Sequence, residues 1–466
     1  MKKVKSNVKT ARTITGTVNR DVLEYTVGND PEWDLHLAEW DCIGTAAHVT
    51  MLAAMPVNPP VMQPAECAAV IKELAGIIAR IRQGRFSISR ADQDVHMAVE
   101  RMLTDRLGDT GRRVHTGRSR NDQVAVDLRL YSKNELLNTL DETLALARAL
   151  CRFARKHKNV PMVGRTHLQP AMPSSVGLWA SGYAEGLLDD IVTLEAAYTV
   201  NDRNPLGSAA GYGVPLPIDR RLTTRLLGFR EPVHNVFYAS CARGKVEGII
   251  LCALQQIMLE LSRIAEDLII FSMPEFGYFS LPKEFCTGSS IMPQKYNPDV
   301  LELVRGRTAR IMGLAQGVLI TRKALPGGYN RDLQETKGAL IEGFNCVRGS
   351  LRMLAGIIDG IVVNREALLG AFSPGVFATD YALELVAAGR PFRAAYNHVR
   401  EHLDELGCAD PFKAVSRKTH LGATAGLDLK LLMSGISRHA ASSKSRRRKF
   451  YGCLSKLLGV NYQEVK

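Results

Sequence analysis

The side chains able to do chemistry in this 466-residue chain gather in four polar segments. The densest reads Gly288-Ser289-Ser290-Ile291-Met292-Pro293-Gln294-Lys295-Tyr296-Asn297-Pro298. A serine hydroxyl is a poor base at its ordinary pKa and acts as an alkoxide only where backbone amides and a cation hold the negative charge. A Gly- and Ser-rich loop can present such amides, and Lys295 is a suitable cation. The plainer reading is a loop that caps the helix opening at Pro298, with Asn297 as the cap. It accounts for Asn297 and Pro298 but not for Ser289, Met292 and Lys295 together. The second segment, Gly164-Arg165-Thr166-His167-Leu168-Gln169-Pro170-Ala171-Met172-Pro173, sets His167 beside Thr166. Histidine exchanges protons near neutral pH, although a lone histidine is more often structural. The third is His115-Thr116-Gly117-Arg118-Ser119-Arg120-Asn121-Asp122-Gln123. With Asn121 as N-cap of a long helix, Arg120 and Asn121 make a natural carboxylate site, because free N–H groups and the helix dipole face an anion there. They also suffice as a basic capping loop, and both readings hold at once. The fourth is Tyr329-Asn330-Arg331-Asp332-Leu333-Gln334-Glu335-Thr336-Lys337, whose plainer reading is a helix start laced with i,i+4 charge pairs.

The elements that must position these segments are helices. Strand signals are almost absent, and apolar residues recur three and four apart over long stretches. The pattern predicts helices over about Asp122 to Lys156, Val176 to Tyr198, Val246 to Phe271, Pro298 to Thr321 and Leu333 to Ile361. Pro274 forbids continuation of the third. Five helices of roughly 20 to 35 residues point to a long bundle and an all-α fold. Helices this long need more partners than one subunit offers, so oligomerisation is expected. The boundaries predict three helical domains: an N-terminal one over 1–113, the central long-helix bundle over 114–373 and a small C-terminal one over 374–466.

Composition narrows the function classes. Hydrophobic residues make up 46% and charged residues 23%, as in soluble globular proteins. The formal charge of +13 is concentrated at the ends, in Lys2, Lys3, Lys5 and Lys9 and again in Lys444, Arg446, Arg447, Arg448 and Lys449. Both clusters read as solvated tails; no nucleic-acid-binding signature accompanies them, so no nucleic-acid partner is expected. The nine cysteines are dispersed, with no CxxC pair, which argues against zinc and redox motifs and fits reduced thiols in the cytoplasm. The apolar stretch Val246 to Phe271 contains Glu247, Glu260, Arg263, Glu266 and Asp267, which argues against a membrane span. The basic N-terminus is followed by polar residues and not by the apolar run of a secretory signal.

The four segments together resemble argininosuccinate lyases of the fumarase/aspartase superfamily. Gly288 to Pro298 fills every invariant place of the superfamily signature GSSxMPxKxNP, and Gly164 to Pro173 is similar to G-x-T-H-x-Q-x-A-x-P. His115 to Gln123 and Tyr329 to Lys337 are similar to the runs HTxRSRNDQ and YNKDLQEDK, which separate argininosuccinate lyases from fumarases and aspartases. Weaker matches at Pro205-Leu206-Gly207-Ser208, Pro217-Ile218-Asp219-Arg220, Pro391-Phe392-Arg393 and Thr419-His420-Leu421-Gly422 fall in family order, so the resemblance runs from about Asp34 to Gly426. It implies β-elimination of argininosuccinate to arginine and fumarate, without a metal or organic cofactor. It makes Ser289 the base that takes the Cβ proton, Lys295 the cation beside the alkoxide and the dianionic intermediate, and His167 the acid or its assistant. Glu302 would orient and charge His167. Ser119, Arg120, Asn121, Thr166, Asn297, Tyr329, Gln334 and Lys337 would bind substrate. The resemblance also implies a homotetramer with sites built from three subunits. A helix of 25 residues separates its ends by about 40 Å, which makes such sharing a geometric need.

The chain departs from the family pattern at four places. Tyr296 replaces a second basic residue, and Arg165 stands where an aromatic is usual. The Trp-Gly-Gly-Arg-Phe entry is missing, and the end after Gly426 is unusually basic. A lyase for adenylosuccinate or aspartate, or a non-catalytic lens-crystallin-like relative, are the rival readings. The third and fourth segments argue against the first, and the complete set Ser289, Lys295, His167 and Glu302 argues against the second.

Overall fold

A computed structural model describes residues 10–13 and 16–464, so the basic cluster at Lys2, Lys3, Lys5 and Lys9 lies outside the described residues. The fold is all-α. The five expected bundle helices span Arg120–Lys156, Val176–Asn201, Lys245–Ser272, Asp299–Arg322 and Glu335–Gly360. Each packs on its bundle neighbours through a continuous apolar core of Leu, Ile and Val that includes Leu144, Leu187, Leu254, Ile311 and Leu351. The third helix is by composition long and apolar enough to cross a membrane, yet it packs against the second, fourth and fifth helices inside the bundle.

The local signals explain the boundaries. Ser119, not Asn121, caps the first helix: its Oγ accepts from the Asn121 amide at 3.2 Å, and Asp122 closes a capping box on the Ser119 amide at 2.9 Å. Two basic residues, Arg155 and Lys156, occupy the last turn, where the dipole favours them. The fourth helix starts one residue later than expected; Pro298 is its cap, and Asn297 belongs to a short strand paired with Thr287.

The bundle runs up, down, up, down, up. Asn201, closing the second helix, bonds the Arg129 carbonyl near the start of the first at 2.9 Å. Trp179, opening the second, donates to Asp267 near the end of the third at 2.8 Å. Arg305 in the fourth pairs with Glu266 at 2.6 Å, and Arg152 in the first pairs with Asp359 in the fifth at 2.7 Å. One end of the bundle therefore carries 114–121 and 323–334, and the other carries 157–175 and 273–298. The first helix has 37 residues, which puts the ends about 55 Å apart.

Two further expectations change. The Gly164 to Pro173 segment, in which no strand is expected, lies in an antiparallel hairpin, Pro161–Thr166 with Gln169–Ser175. Its strands lack the usual turn signal, which is why the pattern hides them. At its base, a Cβ on Gly177 would lie 2.6 Å from the Lys158 Cα, so only glycine lets the second helix leave the hairpin this close to the first. The C-terminal basic cluster is no solvated tail. It lies in the 30-residue helix Leu429–Leu458, along the first bundle helix. Arg447 pairs with Asp141 at 2.8 Å and Arg446 with Glu195 at 3.4 Å, while Lys444, Arg448 and Lys449 remain exposed.

Candidate active site

At the first end of the bundle, Arg120, Asn121, Tyr329, Gln334 and Lys337 line one cavity of about 160 Å³ together with Asp30, Asp34, Asp94 and His96. Ser119 precedes them as the helix cap. The sequence placed these residues on two distant segments, and the fold joins them. Asp122 makes the joint rigid. It is buried, and its second carboxylate oxygen accepts from the amides of Gly207 and Ala209 at 3.0 and 2.9 Å, tying the 205–209 turn to the helix start. Burial lifts its pKa to about 6 against the pull of those amides.

The cations of this cavity are unequally free. Lys337 is buried against Asp30 at 3.0 Å and against Asp34. Burial opposes its charge, but Asp34 and Asp30 outweigh that and raise its pKa. Gln334 donates to the Thr26 carbonyl at 3.0 Å, and Arg331 to the same oxygen at 2.7 Å. Arg120 pairs with Asp94 at 3.2 Å through Nε, while its Nη2 is buried without a hydrogen-bond partner among the described residues. A guanidinium nitrogen in that state is ready for an incoming carboxylate.

Sequence reasoning missed the support beneath this cavity. His96 Nδ1 lies 2.7 Å from Asp41 and 3.6 Å from Asp127, all three buried. Arg118, from the 114–121 loop, donates to Thr45 Oγ1 at 2.9 Å, and Asp41 and Asp127 act on its charge. His48 holds the Thr116 carbonyl at 2.8 Å. No short motif announces this cluster, because its members come from four separate segments. Burial alone would lower the His96 pKa, but Asp41, Asp94 and Asp127 more than offset it and lift it to about 9. Folded His96 thus binds its proton more tightly than in the unfolded chain, so the stabilisation is complete below about pH 6.5 and is lost as the pH rises through about 9. Thermal melts of the wild-type protein should show stability falling between pH 7 and 10. In His96→Gln that slope should be shallower; an unchanged slope would remove His96 as its cause.

The other candidates occupy the second end. His167 and Leu168 form the hairpin's two-residue turn, with φ of 53° and 61°. Positive φ at both central residues suits the strand twist but normally calls for Asn-Gly. Holding two non-glycine residues there costs roughly 1–2 kcal/mol each, the kind of strain found at functional sites. Thr166, His167 and Leu168 all project into solvent within one chain, Leu168 at 70% exposure. Arg165, the departure in this segment, donates to the Leu168 carbonyl at 3.0 Å.

The Gly288 to Pro298 segment is also a hairpin, closed by Thr287 opposite Asn297 and Gly288 opposite Tyr296. Ser289 Oγ accepts from the Met292 amide at 3.1 Å and the Ile291 amide at 3.4 Å. This is the amide cradle that a serine alkoxide needs. Lys295 is exposed in the same loop, and its ammonium has no ion-pair partner among the described residues. Tyr296 is 58% exposed with the Lys283 ammonium 5.3 Å from its ring centre, so a cation stands near the place where the family pattern has a basic residue. Glu302 is exposed in the first turn of the fourth helix. Among the described residues, no hydrogen bond or ion pair joins His167, Ser289 and Glu302 within one chain.

The helical bundle with these loops at its ends defines a class, the fumarase-type lyases. A solved structure of an EDDS lyase in complex with formate superposes with a TM-score of 0.80 at 21% identity over 95% of each chain. The class II fumarase from Schistosoma mansoni does so with a TM-score of 0.69 at 17% identity, over 87% of this chain and 98% of that one. The model of a lyase family matches residues 20–313. Closer in sequence are argininosuccinate lyases from Parabacteroides distasonis, 41% identical over 88% of this chain and 91% of that protein, and from Sorangium cellulosum, 42% identical over 91% and 98%. The chain belongs to the argininosuccinate lyase family.

Proposed function

We infer that this chain splits argininosuccinate into arginine and fumarate. The observation that carries the chemistry is Ser289, whose oxygen already accepts two backbone amides in a loop that also holds Lys295. Ser289 as alkoxide takes a proton from the succinyl CH₂, giving an aci-carboxylate stabilised by Lys295 and the loop amides. The carbon–nitrogen bond then breaks, its electron pair stays on the guanidino nitrogen, and His167 delivers the proton that completes arginine. Glu302 orients His167 and supports its charge. Ser119, Arg120, Asn121, Thr166, Asn297, Tyr329, Gln334 and Lys337 hold the substrate's carboxylates and amino group.

These groups lie at opposite ends of one subunit's bundle, so the working site requires antiparallel neighbours. The fourth helix is suited to receive one. Gly306, Gly313 and Gly317 fall on one exposed face with nothing within 4 Å of a Cβ, and Leu303 and Ile320 beside them are 54% and 63% exposed. Glu302 opens that same face, where a neighbour's hairpin could meet it. This supports a homotetramer with shared sites. The three-domain division, 1–113, 114–373 and 374–466, has its first boundary at the loop before Ser119. The C-terminal segment is not independent of the bundle, since its helix Leu429–Leu458 lies along the first long helix.

The deciding assay follows fumarate by its ultraviolet absorbance with argininosuccinate, adenylosuccinate, aspartate and malate in turn. Release from argininosuccinate, unaffected by a chelator, is expected. Release only from another succinyl compound would reject the substrate, and release from none would reject the activity.

A further inference from the structure

We propose that Arg165 is a positioning residue that holds the His167 turn in its working shape, a proposal that rests on the reading of His167 as the acid. The turn is built from two left-handed non-glycine residues, so the isolated hairpin would relax away from it. Arg165 lies two residues before the tip and reaches forward over it. Its Nη1 donates to the Leu168 carbonyl at 3.0 Å, its Nη2 donates to the Tyr278 hydroxyl at 3.3 Å, and its guanidinium sits 4.8 Å from the centre of the Phe276 ring.

The far side of this staple is rigid. Tyr278 is 2% exposed, its amide donates to the Phe271 carbonyl at 2.9 Å, and its carbonyl accepts from Asn364 at the same distance. Phe276 packs against both Phe271 and Tyr278. The turn that carries the acid is thereby bolted to the end of the third bundle helix. Only a planar fork with several donors bonds a carbonyl and a hydroxyl while stacking on a ring; a lysine ammonium is one point on a flexible stem. Displacing a catalytic group by about 1 Å costs on the order of 10²-fold in rate. The effect therefore belongs in kcat, because both donating arms of Arg165 are engaged by the Leu168 carbonyl and the Tyr278 hydroxyl and act on the turn that carries the acid.

The test is a double-mutant cycle on the full-length enzyme with argininosuccinate, with thermal melts alongside. Arg165→Met keeps the aliphatic packing and removes the fork; Arg165→Lys keeps the charge without the planar fork and guards against a folding defect in the first variant. Both should lower kcat by about 10- to 100-fold with KM changed by less than about threefold. In a His167→Asn background, adding Arg165→Met should change the residual rate by less than about twofold. Unchanged kcat in both single variants would overturn the proposal, as would an equal loss in both backgrounds, since Arg165 would then act independently of His167. Near-normal turnover in His167→Asn alone would overturn the reading of His167, and this proposal with it; full loss there with an additive Arg165 effect overturns this proposal alone.

Discussion

Ser289→Ala should lower kcat by at least about 10²–10⁴-fold, the usual contribution of a group that takes the proton in the transition state, while the fold and KM change little. The reason lies in what the hydroxyl touches. Among the described residues it bonds only to the Ile291 and Met292 amides of its own loop, and removing it leaves two amides that water can reach. No buried partner is orphaned, so the melting temperature should stay within a degree or two of wild type. Alanine cannot carry the alkoxide that those amides and Lys295 stabilise, so the loss falls on the chemical step and not on binding. Circular dichroism and the fumarate assay together decide this. Turnover above a tenth of wild type in a folded Ser289→Ala protein would assign proton abstraction to another group.

The second large effect is a gain. Within one chain His167 and Ser289 leave the same end of the bundle on separate hairpins, and no hydrogen bond joins them. The proposed substrate-binding cluster around Arg120 sits at the opposite end, about 55 Å away by helix length. In the proposed homotetramer a site therefore draws on several subunits, and hybrid tetramers decide whether its acid and its base come from the same one. Ser289→Ala and His167→Asn tetramers should each be almost inactive. Unfolded, mixed in equal amounts and refolded, they form hybrids in which some sites combine Ser289 from a His167→Asn subunit with His167 from a Ser289→Ala subunit. Random assortment makes about one quarter of the sites whole, so activity should rise from near zero toward that fraction of wild type. Were both residues supplied by one subunit, every site would carry a lesion and mixing would recover nothing. No recovery in a mixture shown to contain hybrids would reject the shared acid–base pair and leave the lyase reaction intact.

The sequence by itself determined the features that short-range physics controls. Apolar residues three and four apart marked all five bundle helices within a few residues of their observed ends, because a helix that buries one face leaves that period in the chain. Pro274 ended the third helix through backbone chemistry alone, whereas the first helix is capped at Ser119, two residues before the Asn121 that its sequence suggested. Ser289 and Lys295 are legible for a similar reason, since a hairpin only a few residues long brings its own amides to its own serine. The tertiary structure decided what depends on partners far apart in sequence. Lys337 meets Asp30 and Asp34, His96 meets Asp41 and Asp127, and Asp122 meets Gly207 and Ala209. No local pattern encodes such pairings, since each side chain reads as an ordinary surface charge until burial removes its water. The His167 turn was hidden because its left-handed backbone is imposed by the strand register and the Arg165 staple, not by glycine or asparagine. The C-terminal basic run reads as a solvated tail for the same reason: Asp141 and Glu195, which neutralise part of it, lie some 250 to 300 residues earlier in the chain and become its neighbours only when the bundle is packed.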